Sequence, residues 1–136
     1  MRLLWSVSQS ATSRSRAAVT PSGIVFAGGD GTLTARNPAN GEVVWTRTVM
    51  LPGEIQGSQL VVAGDALVAI GLRRAMGVSA LDGHALWIYE PPVDSTDGNP
   101  GFMQAVHAVA YGNILYLPAW GASVSALDVT TGTVKW

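Results

Sequence analysis

His84 and His107 are the only two histidines of the 136-residue chain, so any chemistry that needs an imidazole must pass through them. Neither sits in a metal spacing such as His-x-x-x-His, and a ligand set needs three or four converging donors. Both are therefore read as structural, His84 facing solvent in a turn and His107 in a strand of otherwise apolar residues. DSTDGNPG at 94–101 gathers oxygen donors from Asp94, Asp97 and Asn99. A calcium loop of the EF-hand type needs acids at alternate positions, a central Gly and a distant bidentate Glu. Here Gly and Pro follow the acids, so the stretch reads as a long connecting loop. Long loops are where binding tends to reside, and Asp94, Asp97 and Asn99 are kept as a candidate ligand contact. Trp120 is kept beside them, as a flat aromatic platform for a sugar, peptide or planar cofactor, against a plainer reading as a packing aromatic. GGDGT at 28–32 lacks the Lys-Ser/Thr of a phosphate loop and reads as a hairpin turn around Asp30-Gly31. Glu54, Asp65 and Glu90 are too dispersed for an acid and base pair, and Arg73-Arg74 reads as a solvated pair in a turn. No Ser, His and acid arrangement follows from chain order alone. The expectation is no catalytic, no cofactor-binding and no metal-binding residue.

Composition narrows the classes further. Apolar residues make up 48% and charged residues 12% of the chain, which argues for a folded, core-rich domain. The net charge is -1 and the eight Lys and Arg are scattered, so nucleic acid has no basic patch to grip. Without cysteine there is no disulfide and no thiolate ligand, although that leaves the compartment open. LVVAGDALVAIGL at 60–72 is broken by Asp65 and too short to span a bilayer, so no transmembrane segment is expected. The apolar start after Met1 is only a few residues long, below the length of a signal peptide's core.

The elements that must position these residues are set by a repeat. Trp5, Trp45, Trp87 and Trp136 stand at intervals of 40, 42 and 49 residues, and Trp120 falls outside the series. Before each of the last three come short apolar runs punctuated by Gly, Asp and Asn, which read as strands. No uninterrupted window holds a helical period. About four strands per unit of this length make a unit the size of a propeller blade. The fold class expected is all-β: about three four-stranded antiparallel blades plus an orphan N-terminal strand, together an incomplete β-propeller. The expected division is 1–7 for the last strand of a preceding blade, then blades at 8–48, 49–90 and 91–136. Gly41, Gly83 and Gly132 each stand four residues before a Trp, where a tight turn tolerates left-handed φ.

ALDVTTGTVKW at 126–136 matches Ala-x-Asp-x-x-Thr-Gly-x-x-x-Trp at every fixed position, through Ala126, Asp128, Thr131, Gly132 and Trp136. This resembles the tryptophan-docking motif of the pyrroloquinoline-quinone (PQQ)-type repeats of quinoprotein dehydrogenases and many non-enzymatic propellers. ARNPANGEVVW at 35–45 is similar, keeping Ala35, Gly41 and Trp45 with Asn37 for Asp and Asn40 for Thr. ALDGHALW at 80–87 keeps Ala80, Asp82, Gly83 and Trp87 and reads as a copy that has lost three residues. The resemblance implies that these residues, with Trp5, hold blades together, and that cofactor and calcium in the enzymes of the family are bound by other residues. It implies a binding or scaffold segment of a larger protein, with a protein or small-molecule ligand and an extracytoplasmic setting. The alternative it implies is a fragment of a PQQ- and calcium-dependent alcohol or sugar dehydrogenase, the one reading in which those cofactors enter. Partners are the remaining blades, or other copies of the chain. An open blade end of about 800 Å² at ~25 cal/mol per Å² forgoes roughly 20 kcal/mol as an upper bound. Self-association or partial folding of the isolated chain is expected from a loss of that size.

Overall fold

The computed structural model describes residues 2–6, 16–28, 30–49, 59–93, 107–119 and 123–136. Asp94, Asp97, Asn99, Trp120 and Glu54, singled out above, lie outside the described residues.

Three antiparallel sheets are stacked, each following chain order. The first runs β1 (Arg16–Thr20), β2 (Gly23–Ala27), β3 (Thr32–Arg36) and β4 (Val43–Thr48). The second is β5 (Gln59–Ala63), β6 (Ala66–Ile70), β7 (Ala75–Ser79) and β8 (Ala85–Tyr89). The third has β9 (Val109–Tyr111), β10 (Ile114–Ala119) and β11 (Ser123–Asp128), with a single antiparallel bridge, Leu127 to Val134, where a fourth strand would start. No α-helix occurs among the described residues. Residues 2–6 form no strand pairing, and the segment meets the first sheet through its tryptophan. The architecture is the expected incomplete propeller, with three strands rather than four in its last sheet.

Burial shows how the sheets stack. β2 alternates buried and half-buried residues, whereas all five residues of β6 and all five of β7 are buried. A sheet covered on both faces loses the alternation of a half-exposed one. One face of the middle sheet, Leu67, Ala69, Met76 and Val78, joins Val25, Ala27, Leu33 and Ala35 of the first. Its other face, Val68, Ile70 and Ala75, joins Leu115, Leu117 and Leu127 of the third. The innermost strands β1, β5 and β9 touch in succession. Each sheet therefore completes its neighbour's core, as in other stacked repeats.

Two expectations change at this level. The β2–β3 connection is four residues, 28–31, not a two-residue type I′ turn. The Gly28 N–H donates to the Thr32 carbonyl at 2.8 Å and the Asp30 carboxylate accepts from the Thr32 hydroxyl at 2.6 Å. That bond also draws the Asp30 carboxyl below its ordinary value. His107 precedes β9 and is exposed instead of lying inside an apolar strand.

Candidate functional site

The residues that converge are those of the recurring turns, one between the last two strands of the first sheet, one between those of the second, and one between β11 and the Val134 bridge of the third. In the first, the Asn37 N–H donates to the Glu42 carbonyl and the Gly41 N–H to the Asn37 carbonyl, both at 2.8 Å. In the third, Asp128 pairs with Thr133 at 2.9 Å and Gly132 with Asp128 at 2.8 Å in the same pattern. In the second the same two bonds are made by Ser79 with His84 and by Gly83 with Ser79, both at 2.9 Å. Gly41, Gly83 and Gly132 have φ of 74°, 74° and 70°, the left-handed region that glycine enters without a Cβ clash.

Side chains repeat the correspondence. Asn37 Oδ1, Ser79 Oγ and Asp128 Oδ1 each accept the backbone N–H two residues on, from Ala39, Leu81 and Thr130. Asn40 Oδ1, Asp82 Oδ1 and Thr131 Oγ1 each accept the N–H of Glu42, His84 and Thr133. Short polar side chains that bond two residues ahead fix such turns. This corrects the reading of the second copy as three residues short. Its true frame is GVSALDGHALW at 77–87, with Gly77 in the place of Ala35 and Ala126, and Ser79 in that of Asn37 and Asp128. Ala80 and Asp82 keep their proximity to the turn but stand at its fourth and sixth positions. Gly77 pairs with Trp87 as Ala35 pairs with Trp45, each beside a register shift. Gly77 and Ser79 were missed because Ala80-x-Asp82 imitates the motif's opening; counting eleven residues back from Trp87 would have found them.

Each turn receives the indole of the preceding unit. A Cβ added to Gly41 would lie 2.8 Å from the Trp5 ring, one on Gly83 2.6 Å from the Trp45 ring, and one on Gly132 2.7 Å from the Trp87 ring. The Trp5 Nε1–H donates to the Pro38 carbonyl at 2.8 Å, and the Trp87 Nε1–H to the Val129 carbonyl at 2.7 Å. Trp45 and Trp87 are 9% and 8% exposed, whereas Trp136 is 68% exposed with its ring near Tyr116.

The ionisable groups serve these turns. Asp82 is held down to about 2, first by its bond to the His84 ring at 2.7 Å and then by the His84 N–H. Asp128 is also lowered, chiefly by the Thr130 N–H, with smaller help from Thr131 and Lys135. Arg74 pairs with Glu90 at 3.2 Å. Among the described residues no three His, Asp or Glu side chains gather as a metal-holding group. The described carboxylates at Asp30, Asp82 and Asp128 accept from their own turns and do not fit a PQQ- and calcium-binding set. Among the described residues no helix is long and apolar enough to cross a membrane.

Known proteins share the fold. BamB from Moraxella catarrhalis superposes with a TM-score of 0.60 at 19% identity, over 83% of this chain and 33% of its own. A europium-containing methanol dehydrogenase superposes with a TM-score of 0.68 at 16% identity, over 99% of this chain and 26% of its own. The quinohemoprotein alcohol dehydrogenase of Comamonas testosteroni is 23% identical over 106 residues, 76% of this chain and 15% of that protein. The chain thus spans a third or less of the length of each. The family model described as outer membrane protein assembly factor BamB matches residues 2–136. With that match over a stack of three- and four-stranded antiparallel sheets, the chain belongs to the PQQ-like propeller family.

Proposed function

We propose that this chain is a non-catalytic segment of a PQQ-like repeat propeller, serving as a binding or scaffold module of a larger protein. The observation that carries the reading is the use made of the polar side chains. Asn37, Ser79 and Asp128 fold the turns, and Asp82 and His84 are spent on each other. On this reading Trp5, Trp45 and Trp87 hold consecutive blades by lying on Gly41, Gly83 and Gly132. The blades divide at 8–48, 49–90 and 91–136, and Trp136 is free to serve a further blade. The partner class is protein and the setting extracytoplasmic, by likeness to the outer membrane protein assembly factor for which the family model is described. Asp94, Asp97, Asn99 and Trp120 remain the proposed ligand contacts, the first three because their polar stretch reads from the sequence as a long connection, where binding tends to reside.

The second reading, a fragment of a PQQ- and calcium-dependent dehydrogenase, is favoured by the similarity to a quinohemoprotein alcohol dehydrogenase. One assay separates them. The intact protein, loaded with PQQ and calcium, is offered alcohols and glucose with an electron-accepting dye. No turnover and no PQQ retained after dialysis is the expected result; robust dye reduction would overturn the scaffold reading.

A further inference from the structure

The three indole contacts are built alike but not bonded alike. Trp5 and Trp87 donate to the residue after the first polar position of the next turn, Pro38 and Val129. The equivalent carbonyl for Trp45 is Ala80. That carbonyl instead accepts a hydrogen bond from the Ser22 hydroxyl, reaching across from the first sheet. The Trp45 Nε1–H is buried with no partner, although its ring lies against Gly83 as the other rings lie against Gly41 and Gly132.

Proline explains how Ser22 comes to be there. In the second sheet the Ala80 N–H donates to the Asp65 carbonyl, and in the third the Val129 N–H donates to Asn113, tying the β5–β6 and β9–β10 turns to their own sheets. Ser22 occupies the same place in the β1–β2 turn, but the matching donor is Pro38, which has no N–H. The turn at 20–23 lacks that tie. The Thr20 hydroxyl bonds the Gly23 carbonyl within the turn and lies 3.1 Å from the Ser22 hydroxyl, and Ser22 alone reaches the neighbouring sheet. A buried donor without an acceptor is costly, and although a carbonyl carries two lone pairs, the Ala80 carbonyl accepts from Ser22 while the Trp45 indole beside that turn goes without.

We propose that the seam between the first and second blades is a two-position hydrogen-bond switch, in which the Ser22 hydroxyl and the Trp45 indole compete for the Ala80 carbonyl. The carbonyl stays bonded in both positions. Blade 1 can therefore shift against blade 2 at lower cost than blade 2 against blade 3, where Trp87 holds its acceptor alone. This goes beyond the scaffold reading and stands whether or not the protein is catalytic.

Indole hydrogen exchange tests it, on the intact protein labelled with 15N-tryptophan and with signals assigned by single Trp→Phe changes. The Trp45 indole proton is expected to exchange at least about tenfold faster than that of Trp87, the handicap of a donor without its bond. Ser22→Ala hands the carbonyl to Trp45, so that exchange at Trp45 slows toward the Trp87 rate and its indole proton moves downfield. Ser22→Thr keeps the hydroxyl and the fast exchange. If Ser22 only glues the seam, Ser22→Ala speeds exchange at Trp45, the opposite sign, and the proposal is overturned; equal rates at Trp45 and Trp87 in the unaltered protein overturn it too. Should Ser22→Ala not fold, Trp45→Phe and Trp87→Phe decide: both lose part of a buried ring, but only the second also loses a hydrogen bond, so it lowers the unfolding midpoint further, and equal shifts sink the switch.

Discussion

At the scale of single residues, exposure sets which tryptophan matters most. Trp87 is buried and bonded to Val129, and Trp87→Ala is expected to cost about 3–5 kcal/mol, as for other buried large aromatics. Trp136→Ala is expected to cost less than about 1 kcal/mol, because the ring is mostly in solvent. Chemical denaturation of the two variants measures the difference, and the reverse order would contradict the proposed role of the glycine turns. Asp82 carries a pH signature. Its carboxyl is held near 2 in the fold, below its ordinary 3.8, so its contribution is present above the ordinary value and is lost as pH falls through about 2. His84→Ala removes the first cause of that depression, and the Asp82 carboxyl carbon, followed by NMR, is expected to titrate closer to its ordinary value. The tryptophan spacing and the three glycines were legible in the sequence because a bulky ring and a left-handed turn each admit few residue types. The Trp45 indole was not, because its missing bond depends on a serine in another turn and on a proline that cannot donate.

At the scale of the element, the turn is an eleven-residue unit whose first polar residue varies among Asn37, Ser79 and Asp128. The shared requirement is one short acceptor that reaches the N–H two residues ahead, which amide, hydroxyl and carboxylate all meet. The Ser79 bond is the longest of the three at 3.2 Å, against 2.8 Å for Asn37 and 2.9 Å for Asp128. Ser79→Ala should destabilise the protein by roughly 0.5–1.5 kcal/mol, the worth of one such hydrogen bond. Ser79→Asn should be tolerated, with thermal unfolding as the measure. If Ala80 and Asp82 opened the turn, as the sequence suggested, Ser79 would be replaceable at no cost. The strands were readable from their apolar runs. The β2–β3 loop was misread because Asp30-Gly31 fits a tighter turn equally well, and only the Asp30 bond to Thr32 selects the longer one.

At the scale of the whole molecule, the stack is open at both ends. Beyond Trp136, the third sheet leaves Val109 and Val124 exposed, and the first leaves Val19 exposed at the other end. The 136-residue polypeptide on its own is therefore expected to self-associate. Light scattering that found a monomer with one sharp unfolding transition would count against this. The incomplete propeller was legible because the repeat interval fixes unit size, and three units are too few to close a ring. The ligand was not, since the candidate contacts Asp94, Asp97, Asn99 and Trp120 stand outside the recurring pattern that made the rest readable. Every strand in these sheets pairs with its neighbour in the chain, so hairpins can form in the order in which the ribosome delivers them. The middle sheet, buried on both sides, cannot be finished until the third has been synthesised. During translation its Val68, Ile70 and Ala75 wait in water, and that interval is when the nascent chain is most open to chaperones and to aggregation.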